Sequence, residues 1–439
     1  MLRSNILVVV VDGLRASALG AYGNTTYPTP AFDGFAADSL LLDSCFAPAA
    51  DLAAIYCAMW QSMHPARREA SKVSTTDSDA ARRSLPAVLA ELGYHTTLIT
   101  DEAQLLTTTV ADGFLERIQL PDSSESQSPP TRAGDVAETS LAHLFAAASD
   151  AVGRANDSAS QPRLVWVHAQ GMYGPWDAPL ELQQTLLDEN DPPPIEQIAT
   201  PNMELQSTDD PDVVFQCSSA YAAQIMVLDD CWQGLLDAID AAASETPWLV
   251  MLVGARGFPL GEHRRIGGID SRLYAEQLHV PWIIRCPDGR GRLARSGALT
   301  THTDILPTLL DAIGDDAQNV PQPFDGLSAL PLATGLPSEE RDALLSATES
   351  DVLSIRTADW CLRGSVPCAE GGQTDELPSA LIELFVRPDD RWEANDISKL
   401  CPDVVEDLRD AATRALASLR NGDAIPRELL AQPAEAIPQ

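Results

Sequence analysis

The sequence predicts an α/β protein in which a large, mainly parallel sheet is sandwiched by helices and followed by a small C-terminal α+β subdomain. The chain has 439 residues, of which 45% are hydrophobic and 21% charged, as in ordinary globular proteins. Because a single core stops growing near ~250–300 residues, this length predicts one large domain and an appendage. We place them at residues 1–335 and 336–439.

Predicted strands and helices alternate through the first of these units. Ile6 to Val11 is a continuous apolar run, typical of a strand buried on both faces. The elements predicted after it are a helix from Ser84 to Leu92, strands from His95 to Thr100 and Leu164 to His168, a helix from Ser218 to Ala242, strands from Trp248 to Val253 and Val280 to Arg285, and a helix from His302 to Ile313. This alternation favours a parallel sheet.

The pattern changes after Gly335. Short strands are predicted around Leu353 to Arg356 and Ile382 to Val386, and a closing helix is predicted from Pro402 to Leu419. Strands grouped beside one helix indicate a small α+β unit.

The chain is strongly acidic. It has 64 Asp and Glu residues against 29 Lys and Arg residues, a formal net charge of -35 at pH 7. Such a surface repels phosphate backbones and anionic lipid headgroups, so we expect neither nucleic acid nor a membrane as a partner. No run approaches the ~20 apolar residues of a membrane span, and we expect no leader before the first strand. The expected location is the cytoplasm.

Several segments carry motifs in an informative order. The first strand leads into DGLRASALGAYGNTTYPTPAFDGFAADS, a later helix reads AYAAQIMVLDDCWQGLLDAID, and LGEH, THTDILPTLLDAIG, SIRTADWCLR and IELFVRPDDRWEANDIS follow. Together they resemble the sulfatase family of the alkaline-phosphatase-like superfamily over nearly the whole chain. The resemblance implies the fold of that superfamily.

The resemblance also implies a metal site at the end of the first strand, because members of the superfamily cleave sulfate or phosphate esters at a divalent cation. The adjacent Asp-Asp pair of sulfatases reads Asp12-Gly13 here, and the later S-D-H-G or S-D-N-G motif reads GARG over residues 254–257. Asp12 is therefore the retained ligand candidate, whereas Gly13, Ala255 and Arg256 fill degenerate positions. The alternative for Asp12 is to cap its own turn.

The nucleophile implied by the resemblance is missing. Sulfatases need C-x-P-S-R or S-x-P-S-R, and the related diesterases need Thr or Ser there, but the aligned residues are Ala50, Asp51 and Leu52. Cys57 lies nearby without the Pro and Arg of the motif, and a buried helical cysteine is its simpler interpretation. Asp51 as an acyl-type nucleophile is the remaining alternative.

Positions implied for substrate binding and proton transfer are changed as well. The two lysines that hold the sulfate group in the family are replaced by Asp101 and by a residue near Gly268, and the histidine that acts on the leaving group aligns with Tyr173. Three further side chains are expected to line the site, namely Arg15, His168 and His263. His263 matches the family within LGEH, whereas His168 has the simpler interpretation of a buried strand histidine.

These changes lead to one preferred interpretation and two alternatives. We expect a catalytically inactive, sulfatase-like protein without a cofactor, which binds an anionic small molecule, a sulfated or phosphorylated ligand, or a partner chain. The first alternative is a metal-dependent ester hydrolase with one divalent cation, Ca or Mg, which requires at least two carboxylates besides Asp12. Asp229 and Asp230 are candidates, but they lie in a predicted helix, where a solvated or capping role is their simpler interpretation. The second, a sulfatase of conventional mechanism, conflicts with every nucleophile position.

The last expectation concerns the partner of Arg256. A partly buried aspartate at a strand end carries an uncompensated charge unless it is paired or protonated. The planar guanidinium of arginine can satisfy a carboxylate through two parallel hydrogen bonds. We therefore predict that Arg256 binds Asp12 at the family's metal position; the alternative is that Arg256 points into solvent.

Overall fold

The computed structural model of the chain describes residues 4–67, 84–121, 131–156, 161–195, 198–241, 246–314, 320, 324–335, 340–348, 352–365 and 382–430. These residues form one large sheet, one small C-terminal sheet and a two-stranded ribbon. None of the helices they contain is long and apolar enough to cross a bilayer.

Strands and helices alternate along most of the described chain. The strands are β1 (Asn5–Val11), β2 (Leu40–Phe46), β3 (His95–Thr100), β4 (Glu116–Gln119), β5 (Arg163–Ala169), β6 (Asn202–Glu204), β7 (Trp248–Gly254), β8 (Arg265–Gly267), β9 (Trp282–Arg285), β10 (Ala294–Thr301), β11 (Leu344–Ala347), β12 (Val352–Arg356), β13 (Trp360–Ser365) and β14 (Glu383–Val386). The α-helices are α1 (Pro30–Ala37), α2 (Leu52–Gln61), α3 (Leu85–Glu91), α4 (Ala103–Leu106), α5 (Ser140–Asn156), α6 (Leu180–Gln184), α7 (Asp212–Ala241), α8 (Ala275–Leu278), α9 (Ile305–Ile313) and α10 (Pro402–Arg420). Short 3-10 helices occupy Ala16–Ala18, Gly20–Tyr22, Thr109–Gly113, Val136–Glu138, Gly171–Tyr173, His302–Asp304 and Leu330–Thr334.

The large sheet has eight strands in the order β10-β2-β9-β7-β1-β5-β3-β4. All neighbouring pairs are parallel except β2 with β9 and β9 with β7. The α/β prediction is confirmed, and the strands predicted at Ile6 and Val280 share one sheet. The second of these, β9, runs against its neighbours, so the sheet is mixed.

Helices cover both faces of the large sheet, and β1 shows why. Its side chains alternate with a period of two between the faces. Val8 and Val10 pack in a core with α2, α3 and α9, whereas Val9 and Val11 pack in a second core with α1, α5 and α7. Burial on both faces explains the uninterrupted apolar run in the sequence.

The small C-terminal sheet is antiparallel, in the order β11-β12-β13-β14. Leu408, Ala411 and Ala415 of α10 pack in one core with Leu353 and Ile355 of β12. The sheet lies wholly after residue 335, and the domain boundary placed there stays a prediction.

Candidate functional site

The carboxyl edge of the large sheet brings several loops together. Val11, the last residue of β1, pairs with Ala169 of β5 on one side and Gly254 of β7 on the other. Because the three strands are parallel, the residues that follow them lie side by side at one edge. Asp12 therefore meets Arg256, which lies two residues beyond β7.

Arg256 binds Asp12 through two parallel hydrogen bonds. Its Nε donates to Asp12 Oδ1 at 2.9 Å, and its Nη2 donates to Asp12 Oδ2 at 2.8 Å. Its Nη1 donates to the carbonyl of Ala50 at 2.7 Å. Asp12 is 2% and Arg256 5% exposed, so solvent screens the pair little. The predicted pairing is confirmed, and the alternative of a solvent-facing Arg256 is wrong.

Burial and pairing together set the ionisation of the two groups. Burial raises the pKa of the Asp12 carboxyl above its ordinary value, although Arg256 and the amide of Gly13 both lower it. Burial lowers the pKa of Arg256, but the charge and hydrogen bonds of Asp12, together with Tyr173 and Asp51, outweigh this effect, so the pKa of the guanidinium lies above its ordinary value. Arg256 is therefore a permanent positive charge beside Asp12.

Tyr173 covers the guanidinium of Arg256. Its ring centroid lies 4.5 Å from the central guanidinium carbon, within the range of a cation–π contact. The Tyr173 hydroxyl is 3.2 Å from the carbonyl of Gly257 and 3.1 Å from that of Gly268, and it donates to them. Burial raises the pKa of this hydroxyl, so it remains a neutral donor. Tyr173 thus fixes the loop that carries Arg256.

Comparison with known families decides the assignment. The family model for sulfatases matches residues 4–315, well over half of the chain. The chain belongs to the sulfatase family. An N-acetylglucosamine-6-O-sulfatase of Bacteroides thetaiotaomicron is 30% identical over 113 residues, which are 26% of this chain and 19% of that relative. The match therefore spans about a fifth of the relative's length.

Solved structures of low sequence identity share the fold. The phosphonate monoester hydrolase of Agrobacterium radiobacter superimposes with a TM-score of 0.74 at 18% identity, over 96% of this chain and 96% of that one. A structure in complex with its substrate, D-glucosamine-2-N,6-O-disulfate, superimposes with a TM-score of 0.71 at 16% identity, over 97% of this chain and 100% of that one.

Gly13 stands where sulfatases have the second aspartate of their pair. Its φ is +75°, and a Cβ atom there would lie 2.6 Å from Cβ of Met172. Both the backbone conformation and the space therefore demand glycine. The amide of Gly13 donates to Asp12 Oδ1 at 3.0 Å, so Asp12 caps this turn as well as binding Arg256.

The residues at which the resemblance places the sulfatase nucleophile have structural roles. Ala50 is buried and gives its carbonyl to Arg256. Asp51 is the N-cap of α2 and accepts a hydrogen bond from the amide of Ala54 at 3.0 Å, while Leu52 is the first residue of that helix. Burial raises the pKa of the Cys57 thiol to about 11, which keeps it protonated and a poor nucleophile.

His168 is buried in β5 beneath the edge. Its Nδ1 lies 2.6 Å from the hydroxyl of Tyr56 on α2. Burial, with a contribution from Arg256, lowers the pKa of His168 to about 3. The imidazole is therefore neutral at ordinary pH, and its contact with Tyr56 ties α2 to the sheet.

The two positions at which the resemblance implies lysines are both engaged within the protein. Asp101 follows β3, and its carboxylate accepts a hydrogen bond from the amide of Gln170 at 2.8 Å. The Gln170 side chain returns a bond to the Asp101 carbonyl at 2.8 Å. Gly268 has a positive φ of +68° and provides the carbonyl that Tyr173 contacts.

Arg15 lies at this edge but is internally paired. Its Nη2 is 2.5 Å from Glu262 Oε1, and the ring of Trp392 lies 5.7 Å from its guanidinium carbon. His263, the next residue after Glu262, contacts Glu276 and the carbonyl of Glu393. These contacts hold His263 against α8 and the segment after β14, and none of them joins it to Asp12 or Arg256.

The residues present do not fit a divalent cation. Both oxygens of Asp12 are occupied by Arg256, whose charge repels a metal ion. The carboxylate of Asp229 accepts hydrogen bonds from the amides of Ala31 and Phe32 at 3.1 and 2.9 Å, so it caps α1. In the described part of the chain, no three His, Cys, Asp or Glu residues are grouped so that they could hold a metal.

Sequence reasoning misses three contributors to the site. The carbonyl of Ala50, the hydroxyl of Tyr56 and the side chain of Met172 each constrain a neighbour at the edge. A backbone carbonyl and a packing contact leave no residue-type signal. Tyr56 lies within an apolar helical run, and this pattern indicates only that it is a core residue.

Proposed function

We propose that this sulfatase-family protein does not hydrolyse sulfate or phosphate esters and acts as a binding protein. The bidentate bond between Arg256 and Asp12 carries this proposal. Ester cleavage in the superfamily needs a cation that neutralises the anionic ester and helps activate the nucleophile. Arg256 supplies a positive charge, but Asp12, Ala50 and Tyr173 surround its guanidinium. A catalytic metal ion keeps a coordination position open for the substrate, and this guanidinium has no such open side.

The nucleophile positions support the same proposal. Ala50 and Leu52 have no hydroxyl or thiol, and the Asp51 carboxylate serves as a helix cap. Losing a nucleophile and its metal removes terms of several kcal/mol each from the stabilisation of a transition state. The chain keeps the family's fold, although these positions differ from the family's motif.

For the bound species, we propose an anionic small molecule that carries a sulfate or phosphate group, with a protein partner as the other possibility. Support comes from the structural relative that was solved with D-glucosamine-2-N,6-O-disulfate. Calorimetric titration of that disulfated sugar, with unsulfated glucosamine as the control, tests the preference. Equal heats for both sugars would remove the sulfated ligand from the proposal.

Hydrolysis assays test the absence of catalysis. Aryl sulfate, aryl phosphate and phosphonate monoester substrates are supplied with Ca²⁺, Mg²⁺ or Mn²⁺, and wild type is compared with Asp12→Ala. We expect both proteins to match the rate without protein. Metal-dependent turnover that disappears in Asp12→Ala would refute the proposal.

A further inference from the structure

The retained family histidine, His263, joins the loop after β7 to the C-terminal unit. Its Nδ1 lies 2.7 Å from Oε1 of Glu276 on α8, and its Nε2 lies 3.0 Å from the backbone carbonyl of Glu393. Its ring stacks on Tyr274 with centroids 3.5 Å apart. The histidine is therefore clamped between α8 and the segment 388–400, which connects β14 to α10.

Hydrogen-bond chemistry fixes how many protons this arrangement holds. A carbonyl oxygen only accepts, so Nε2 must carry a hydrogen to bond Glu393. The 2.7 Å contact between Nδ1 and the Glu276 carboxyl then needs a second hydrogen, on either Nδ1 or the carboxyl. The pair of His263 and Glu276 thus holds one proton more than a neutral imidazole beside an ionised carboxylate.

We propose that this shared proton is a switch, and that its loss releases segment 388–400 from the loop after β7. Without it, the bare lone pair of Nδ1 faces a carboxylate at 2.7 Å, and the bond becomes a repulsion. This inference is independent of whether the chain hydrolyses esters.

The surroundings of the pair explain why release would reach the candidate site. Glu393 is held by two further bonds, from Arg356 Nη2 at 2.9 Å and from the amide of Ala275 at 2.9 Å. The preceding residue, Trp392, lies over Arg15, which is three residues beyond Asp12. Opening of the segment would uncover Arg15 and its partner Glu262, a charged pair at the sheet edge.

Other charged groups face the pair from each neighbouring element. They are Arg15 after β1, Glu262 in the same loop, Arg272 before α8, Arg356 on β12 and Glu393 in segment 388–400. The neutral Tyr274 separates the pair from Arg363 on β13 and Glu383 on β14, which both contact its hydroxyl. Arg272 Nη1 donates to the His263 carbonyl at 3.1 Å, and Arg356 neutralises Glu393. The ionisable hydrogen-bond partner of the imidazole ring is therefore Glu276.

The pKa shifts agree with the geometry. Burial lowers the pKa of His263, but Glu276 and Glu393 outweigh it, and the net pKa lies above the ordinary value. Burial raises the pKa of Glu276, and His263 only partly offsets this effect. Both directions mean that the fold holds the proton more tightly than the unfolded chain, so the stabilisation is present at low pH and lost as pH rises through the raised folded pKa.

Hydrogen exchange of the full chain, read by mass spectrometry and corrected for the intrinsic rate, tests the switch. Protection of segment 388–400 is followed from about pH 5.5 to 9, a range that brackets the ordinary histidine pKa. We expect wild-type protection to fall at least about tenfold on the alkaline side, as loss of one charged hydrogen bond requires.

Glu276→Gln separates a switch from a merely structural contact. Its amide can donate to the bare Nδ1 while Nε2–H keeps its bond to Glu393, so we expect protection that no longer depends on pH. His95→Gln is the matched control, because His95 faces Glu116 at 3.4 Å on β3 and β4, and it should keep the wild-type profile. Constant wild-type protection, or a wild-type-like fall in Glu276→Gln, would overturn the proposal.

Discussion

Arg256 and Asp12 form a buried bidentate ion pair, with donor–acceptor distances of 2.9 and 2.8 Å. The same guanidinium also reaches the carbonyl of Ala50, at the family's nucleophile position. The Arg256 side chain therefore lies between Asp12, at the family's metal position, and Ala50, at its nucleophile position.

Removing one partner of this pair should lower the free energy of unfolding far more than removing both. In Arg256→Met the buried Asp12 loses its counter-charge, and we expect a loss of about 3–5 kcal/mol in the free energy of unfolding. The double variant Arg256→Met/Asp12→Leu should recover most of it, because an apolar pair leaves no unpaired charge. Urea denaturation measures both.

A surface pair supplies the control for that experiment. Arg295 pairs with Asp43 at 2.6 Å, but its side chain is 55% exposed, and such pairs contribute only about 0–1 kcal/mol. Arg295→Met should therefore cost much less than Arg256→Met. Equal losses for the two would contradict a special role for the buried pair.

The cost of Arg256→Met should depend on pH. Burial already raises the pKa of Asp12, and without Arg256 the folded pKa rises further. A carboxyl with a raised folded pKa stabilises the fold at low pH and loses that contribution as pH climbs above ~3.9, its ordinary unfolded value. The deficit of Arg256→Met should thus grow from pH 4 to pH 7, whereas Arg256→Met/Asp12→Asn should show no such trend.

Tyr173 contributes through its ring and its hydroxyl, and two variants separate them. Tyr173→Phe keeps the ring over Arg256 but removes the hydroxyl that donates to the carbonyls of Gly257 and Gly268. We expect a loss of about 0.5–1.5 kcal/mol from the missing hydrogen bond. Tyr173→Leu also removes the cation–π contact and packing, and should cost at least about 1 kcal/mol more. Equal effects in thermal denaturation would count against the ring contact.

Restoring the second aspartate of the sulfatase motif should fail on steric grounds. Gly13→Asp places a Cβ 2.6 Å from Met172 Cβ, at a φ of +75°, and backbone strain of this kind costs about 1–3 kcal/mol before the clash is added. If Gly13→Asp unfolds at the wild-type midpoint, neither strain nor a clash explains the glycine.

Much of the fold is predictable from apolar runs. β1 and β7 are buried on both faces, and their uninterrupted apolar sequences indicate parallel strands at the centre of a sheet. The direction of β9 is not predictable in the same way, because its apolar run is the same for either orientation. β10 is not predicted, because it is an edge strand and half of the residues in its sequence ARSGALTT are polar.

The candidate site is likewise predictable only in part from the sequence. Arg256 and Asp12 could be paired from sequence because both follow strands that the family order places side by side. The position of His263 could not, since it depends on how α8 and segment 388–400 pack against its loop. His263 matches a family motif, but its partners lie on α8 and in segment 388–400.

Crystals soaked in Mn²⁺ give the most direct measurement of whether Arg256 has replaced the cation, through the anomalous scattering of the ion. We expect no anomalous peak at Asp12 and continuous density for the Arg256 guanidinium on both carboxylate oxygens. An anomalous peak within about 2.6 Å of the Asp12 carboxylate, the outer limit of hard-cation ligand distances, with Arg256 displaced, would contradict that replacement.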